Sequence, residues 1–112
     1  MQFDATGDDD EIIQTLTKAR SLIELPEKWC KGIACQYRQS EVVARCAQSA
    51  LTDASTSHAK HVVRQFMIDY VSRTHGLASI ANFNDLPRTT HADVLALFDR
   101  AIAYRRTTLG ER

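Results

Sequence analysis

An all-α fold, a compact small domain of about four main helices with one or two short helical turns, is predicted by three observations. Apolar residues recur at three- and four-residue spacings in four separate stretches. Capping and stopping residues stand at the ends of those stretches. Outside them, no alternation of apolar and polar residues persists for five positions, so no strand is predicted. A chain of 112 residues is one domain, 1–112, with 1–8 and 107–112 as flexible ends. At this size roughly two-thirds of the unfolded surface can be buried, so a core needs neither metal nor disulfide.

The first helix is expected at about 9–24. Asp8 followed by Glu11 fits a cap with a reciprocal partner, and Asp9, Asp10 and Glu11 put negative charge at the positive helix end. Ile12, Leu16, Ala19 and Ile23 form its stripe, widened by Ile13 and Leu22, and Pro26 disfavours helix at Leu25. Trp29, Ile33 and Tyr37 lie four apart and suggest a helical turn near 29–37, interrupted by Gly32. The second helix, about 40–54, starts at Ser40 and buries Val43, Ala47, Ala50 and Leu51, with Cys46 beside them.

Ser57 is placed to cap a third helix, about 58–75. Its stripe of Val62, Val63, Phe66, Met67, Tyr70 and Val71 is the broadest in the chain, which predicts a central position. Asp69 and Arg73 form an opposite-charge pair four apart, and Gly76 stops the helix. Leu77, Ile80 and Phe83 suggest a short turn near 77–82. A polar turn, FNDLPRTT, then feeds the fourth helix. Thr90 and Asp93 make its capping pair; Val94, Leu97, Phe98, Ala101 and Ile102 form its buried face, and Arg105 and Arg106 suit its end.

Charge narrows the partners. There are 14 basic and 14 acidic residues. Five acids and no base fall within residues 1–11, leaving nine acids against 14 bases in the rest. That excess is small for a dedicated duplex binder. No stretch approaches the roughly 18 apolar residues of a membrane span, and MQFDATG lacks the basic start and apolar run of a signal peptide. Three cysteines cannot all pair within one chain, and reduced thiols in a cytoplasmic protein are expected.

Three segments resemble a small uncharacterised family of bacterial and phage proteins: WCKG at 29–32, FND at 83–85 and DVLALFDRAI at 93–102. Its members carry a Trp-Cys-x-Gly-like element, a Trp/Phe-Asn-Asp turn, and a Thr-x-x-Glu/Asp-Val-Leu helix ending in Asp-Arg-Ala-Ile. Phe83 stands where Trp is commoner and Asp93 where Glu is commoner. The resemblance implies a compact, mostly helical domain of bacterial or phage origin, and it implies no activity.

Each candidate site has a structural reading beside the functional one. Trp29, Asn84, Asp85 and Arg88 are candidate binding residues. The structural alternative, which is favoured, makes Trp29 a core or seam aromatic and Asn84 and Asp85 a turn that locks the preceding segment over the core, with Arg88 closing on Asp85. Lys60, His61 and Arg64, with Arg105 and Arg106, are candidate nucleic-acid contacts; the alternative is a solvated face. Cys30, Cys35, Cys46, His58 and His61 supply enough thiolate and imidazole for zinc, but C-x4-C followed by gaps of ten and eleven is no finger spacing. Cys30 is the best nucleophile, with His58, His61, His75 or His91 as base and Asp85 to orient it; a packing role is favoured. No phosphate loop, HExxH or nucleotide fingerprint is present.

These residues favour a non-catalytic accessory protein acting by protein–protein contact or self-association. Inhibition of a host system is one version, suggested by family context alone. A weak nucleic-acid-binding helical domain and a thiol- or metal-dependent enzyme are the alternatives. No cofactor is expected.

Overall fold

Asp10 opens the first helix. Its backbone is extended (φ −72°, ψ 128°) and its carboxylate accepts from the Ile13 amide at 3.1 Å, satisfying one donor that a helix start leaves unpaired. The computed structural model describes residues 10–110, so the predicted Asp8 cap lies outside the described residues. Helix α1 spans Glu11–Leu22 and buries Ile12, Ile13, Leu16, Ala19 and, just past its end, Ile23. This is the predicted stripe.

The next segment departs from expectation. Pro26–Lys28 makes a single 3-10 turn, and the chain then extends. Strand β1 (Cys35–Arg38) pairs antiparallel with β2 (Glu41–Arg45), Cys35 opposite Arg45 and Arg38 opposite Glu41, with an irregularity between Gln36 and Tyr37. Gln39 (φ 51°) and Ser40 (φ 69°) are both left-handed, the backbone that a two-residue hairpin turn needs. The expected helical turn through Trp29, Ile33 and Tyr37 therefore does not form, and Ser40 turns a hairpin instead of starting a helix. The physical reason is local. Val42 and Val43 are β-branched and suit a pleat, while Gly32 at φ 82° breaks any helix before them.

Helix α2 is consequently shorter than predicted, Ala47–Ala54, with the Cys46 thiol accepting from the Ser49 amide at 3.4 Å. Ala47, Ala50 and Leu51 are buried as expected. Helix α3 spans Lys60–His75. Thr56 Oγ1 accepts from the Ala59 amide at 3.1 Å, the local role that Ser57 was expected to fill. Gly76 (φ 66°) ends the helix, its amide donating to the Ser72 carbonyl at 3.0 Å. The expected Asp69–Arg73 pair is not made; Asp69 accepts from Gln65 Nε2 at 3.0 Å, and Arg73 reaches Tyr104 Oη at 3.4 Å.

Helix α4 is Ile80–Asp85, capped by Ser79, so Phe83, Asn84 and Asp85 are its last turn rather than a loop. Helix α5 runs His91–Gly110. The predicted capping pair forms reciprocally: Thr90 N donates to Asp93 Oδ2 at 3.0 Å, and Asp93 N to Thr90 Oγ1 at 3.2 Å. The helix continues past Arg106 through Thr107 and Thr108, whose hydroxyls donate to the Ala103 and Tyr104 carbonyls, and Leu109 packs on the core.

The result is a helical domain with four main helices, one short helix, and the hairpin as its only strand pair among the described residues. One core joins all five helices. Its centre is α1, which packs against α2, α3 and α5, rather than α3 as predicted. The apolar arc of α3 is wider than its neighbours cover, so Val62 stays 58% exposed. No helix of the described residues is long and apolar enough to cross a membrane.

Candidate functional site

Two segments more than fifty positions apart meet in a polar clasp beneath the hairpin. Asn84 is completely buried. Its Oδ1 accepts from Trp29 Nε1 at 2.6 Å and from the Ala47 amide at 3.0 Å. Its Nδ2 donates to the Cys30 carbonyl at 3.1 Å and to Asp85 Oδ1 at 2.9 Å. A primary amide has two acceptor sites and two N–H donors, and all four are used internally. The Ala47 amide is one that the start of α2 would otherwise leave unpaired. A single side chain thus ties the WCKG segment, α2 and α4 together.

The clasp has a second layer. Asp85 Oδ1 also accepts from the Gly32 amide at 2.9 Å. Lys31 Nζ donates to the Thr89 carbonyl at 2.6 Å and the Pro87 carbonyl at 3.3 Å, holding the loop between α4 and α5. The His91 ring lies 5.7 Å from the Trp29 ring, and its Nε2 is 2.7 Å from the Ile23 carbonyl. A carbonyl only accepts, so that nitrogen carries the hydrogen. Three of the four candidate binding residues, Trp29, Asn84 and Asp85, are therefore brought together. Arg88 is not; it stands exposed, and the expected Arg88–Asp85 ion pair is not made among the described residues.

The thiols are not arranged as the catalytic or metal-binding alternative requires. Cys30 and Cys46 touch in a small buried cluster with Ala44, and Cys35 is half-buried in β1. Burial, with the neighbouring Cys46, Cys35 and Asp85, pushes the Cys30 thiol up to about 11. Its S–H points at the Ile33 carbonyl, 3.4 Å away. A nucleophile needs the opposite shift, and Cys30 opens no helical turn. His58, in the turn before α3, and His61, on α3, both lie exposed. No group of three or more His, Cys, Asp or Glu side chains suited to a metal is assembled among the described residues, so Cys30, Cys35, Cys46, His58 and His61 do not converge.

The candidate cations separate into two places. Arg105 grips Asp10 in a bidentate pair, Nε to Oδ2 and Nη2 to Oδ1 both at 3.0 Å, and its guanidinium carbon lies 5.9 Å over the Phe66 ring. Arg106, exposed beside it, also has an interaction. Lys60, His61 and Arg64 instead line an open cleft of about 110 Å³ between α2, α3 and the start of α4. Arg105 and Arg106 are not among the residues that line this cleft. Sequence reasoning missed Lys31 and His91 as clasp members. Their partners are backbone carbonyls, which no side-chain pattern advertises.

No curated protein and no solved structure matches the chain. One family does, over residues 7–104, a span that includes the whole clasp and the hairpin. The chain belongs to a family of unknown function, DUF6197.

Proposed function

We propose that the protein is a small non-catalytic accessory domain that works in the cytoplasm by contact with another protein, with the β1–β2 hairpin as its contacting arm. The supporting observation is the exposure of Ile33 (53%), just before β1, and Tyr37 (66%), within it, on a strand whose only neighbour among the described residues is β2. An edge strand offers a row of backbone donors and acceptors to an incoming extended chain. Exposed aromatics beside such an edge are the residues that anchor interfaces. The fitting occupant is an extended segment of a partner protein, with an acidic residue opposite Arg38 on the outer strand. Three free thiols support a reducing compartment. The fully bonded Asn84 and the raised Cys30 thiol support a non-catalytic role.

The test is site-specific photo-crosslinking in cells that make the protein, with the reactive residue at Tyr37 or, as reference, at Lys18 on the exposed side of α1. The reading expects one discrete adduct with a second protein from position 37, absent from position 18 and lost when Ile33→Asp is added. Equal labelling from both positions, or an adduct of two copies of the chain, contradicts it.

A further inference from the structure

We infer that the cleft between α2, α3 and the start of α4 binds a small phosphomonoester carrying an apolar body. The inference is independent of the hairpin's role. The cleft encloses about 110 Å³ and opens to solvent, room for a phosphate head with the rest of a ligand lying across the opening. Its charge is one-sided. Lys60, His61 and Arg64 lie on one flank, and no acidic side chain is among its lining residues.

Lys60 and Arg64 sit four apart on α3, where like charges disfavour each other. Neither makes an ion pair or hydrogen bond among the described residues. The domain pairs Arg20, Arg45 and Arg105 with carboxylates but leaves these two cations facing a recess. A dianionic head between an ammonium and a guanidinium fork offsets that repulsion.

The other walls specify the rest of the ligand. The buried Leu51 and Ile80 lie under the recess, and the half-buried Ile68 gives it an apolar wall. Thr52 and Ser55 already donate their hydroxyl hydrogens to the Gln48 and Leu51 carbonyls. They therefore present lone pairs, which accept from a hydroxyl or amino group of the ligand and repel a second anionic group. Ser79 Oγ accepts from the Asn82 amide, so its hydrogen remains available to a phosphate oxygen. Cation flank, apolar wall and hydroxyl acceptors together describe a phosphate joined to a flat or aliphatic body with a donor.

The test is a two-dimensional amide NMR titration of the full chain with adenosine monophosphate, phenyl phosphate, adenosine and an oligonucleotide lacking a terminal phosphate. Saturable shifts are expected with at least one of the two phosphomonoesters, at Leu51, residues 60–68 and Ile80, and adenosine should bind about tenfold more weakly or worse. Arg64→Ala, an exposed position, should weaken binding by about tenfold while Arg64→Lys recovers part of it. Lys60→Ala provides an independent second variant. No saturable shift with either phosphomonoester overturns the inference, as does unchanged affinity in both alanine variants. Tighter binding of the oligonucleotide overturns it too, and makes the cleft part of a nucleic-acid surface.

Discussion

The Trp29 indole N–H donates to Asn84 Oδ1 at 2.6 Å across 55 positions of sequence. The same oxygen accepts from the first amide of α2, Ala47. Two motifs far apart in the chain are thus a lock and its keeper: WCKG starts extended at Trp29 and bends by Gly32, and Asn84 at the end of α4 holds it against the helices.

Removing the keeper leaves buried groups without partners. Asn84→Ala orphans the Ala47 amide, the Cys30 carbonyl and the Trp29 indole N–H. At roughly 1–3 kcal/mol for each buried unsatisfied group, partly relieved by water, it should destabilise the fold by about 3 kcal/mol. Equilibrium urea unfolding measures this. A loss below about 1 kcal/mol, with the helical circular dichroism intact, would show that the clasp does not hold the fold.

Asp85→Ala should cost less, about 1–2 kcal/mol, because the Gly32 amide it releases is near solvent and recovers a water partner, and the Asn84 Nδ2 it also releases keeps its bond to the Cys30 carbonyl. Asp85→Asn keeps an acceptor in place and should recover most of the loss. If Asp85→Ala is as costly as Asn84→Ala, the two side chains act as one unit and the ranking fails.

Asp10 gives the fold an acid limit. Burial raises its carboxyl, but the Arg105 fork and the Ile13 amide outweigh that and hold it below its ordinary value of 3.8. Near and below that value the unfolded chain binds the proton more readily. The stabilisation is therefore complete above about pH 5 and lost as pH falls through the depressed folded value. Asp93, lowered by its bonds from the Thr90 amide and hydroxyl, contributes with the same sign. Urea midpoints between neutral pH and strongly acid pH should fall less steeply in Arg105→Ala than in the wild type; parallel curves would remove the pair from the account.

Cys30 should be the slowest thiol. With its acid constant pushed up to about 11, only about one molecule in ten thousand carries the thiolate at neutral pH. Cys35, half-buried in β1, should react first with a thiol-directed reagent, and Cys30 only as fast as the fold opens. Mass-resolved labelling distinguishes them. A Cys30 rate equal to that of Cys35 would restore the nucleophile reading rejected above.

Much of the helical frame was legible because period and caps are local. Thr90 with Asp93, Gly76, and the stripe of α1 behave as their spacing implies. The hairpin was not legible. Each strand is too short to show alternation, and Trp29, Ile33 and Tyr37 happen to fall at helical intervals. The centrality of α1 was also hidden. A wide apolar arc on α3 says how much surface wants cover, not whether neighbours supply it, and Val62 remains exposed. The structural reading of Asn84 was available from its chemistry, but its partners were not. Three of them, Ala47, Cys30 and Trp29, lie far away in sequence, and two of those contribute only backbone atoms.

The clasp is tested most directly by hydrogen exchange at one proton. Trp29 is the only tryptophan, so its indole N–H gives a single resolvable resonance. Bonded to a fully buried Asn84, it should exchange with deuterium only when the domain unfolds, at a rate matching the core amides of Val63 and Phe98. Exchange complete within the first spectrum, while those core amides remain protected, would mean that Trp29 is not locked onto Asn84 and that the segment is free to meet a ligand.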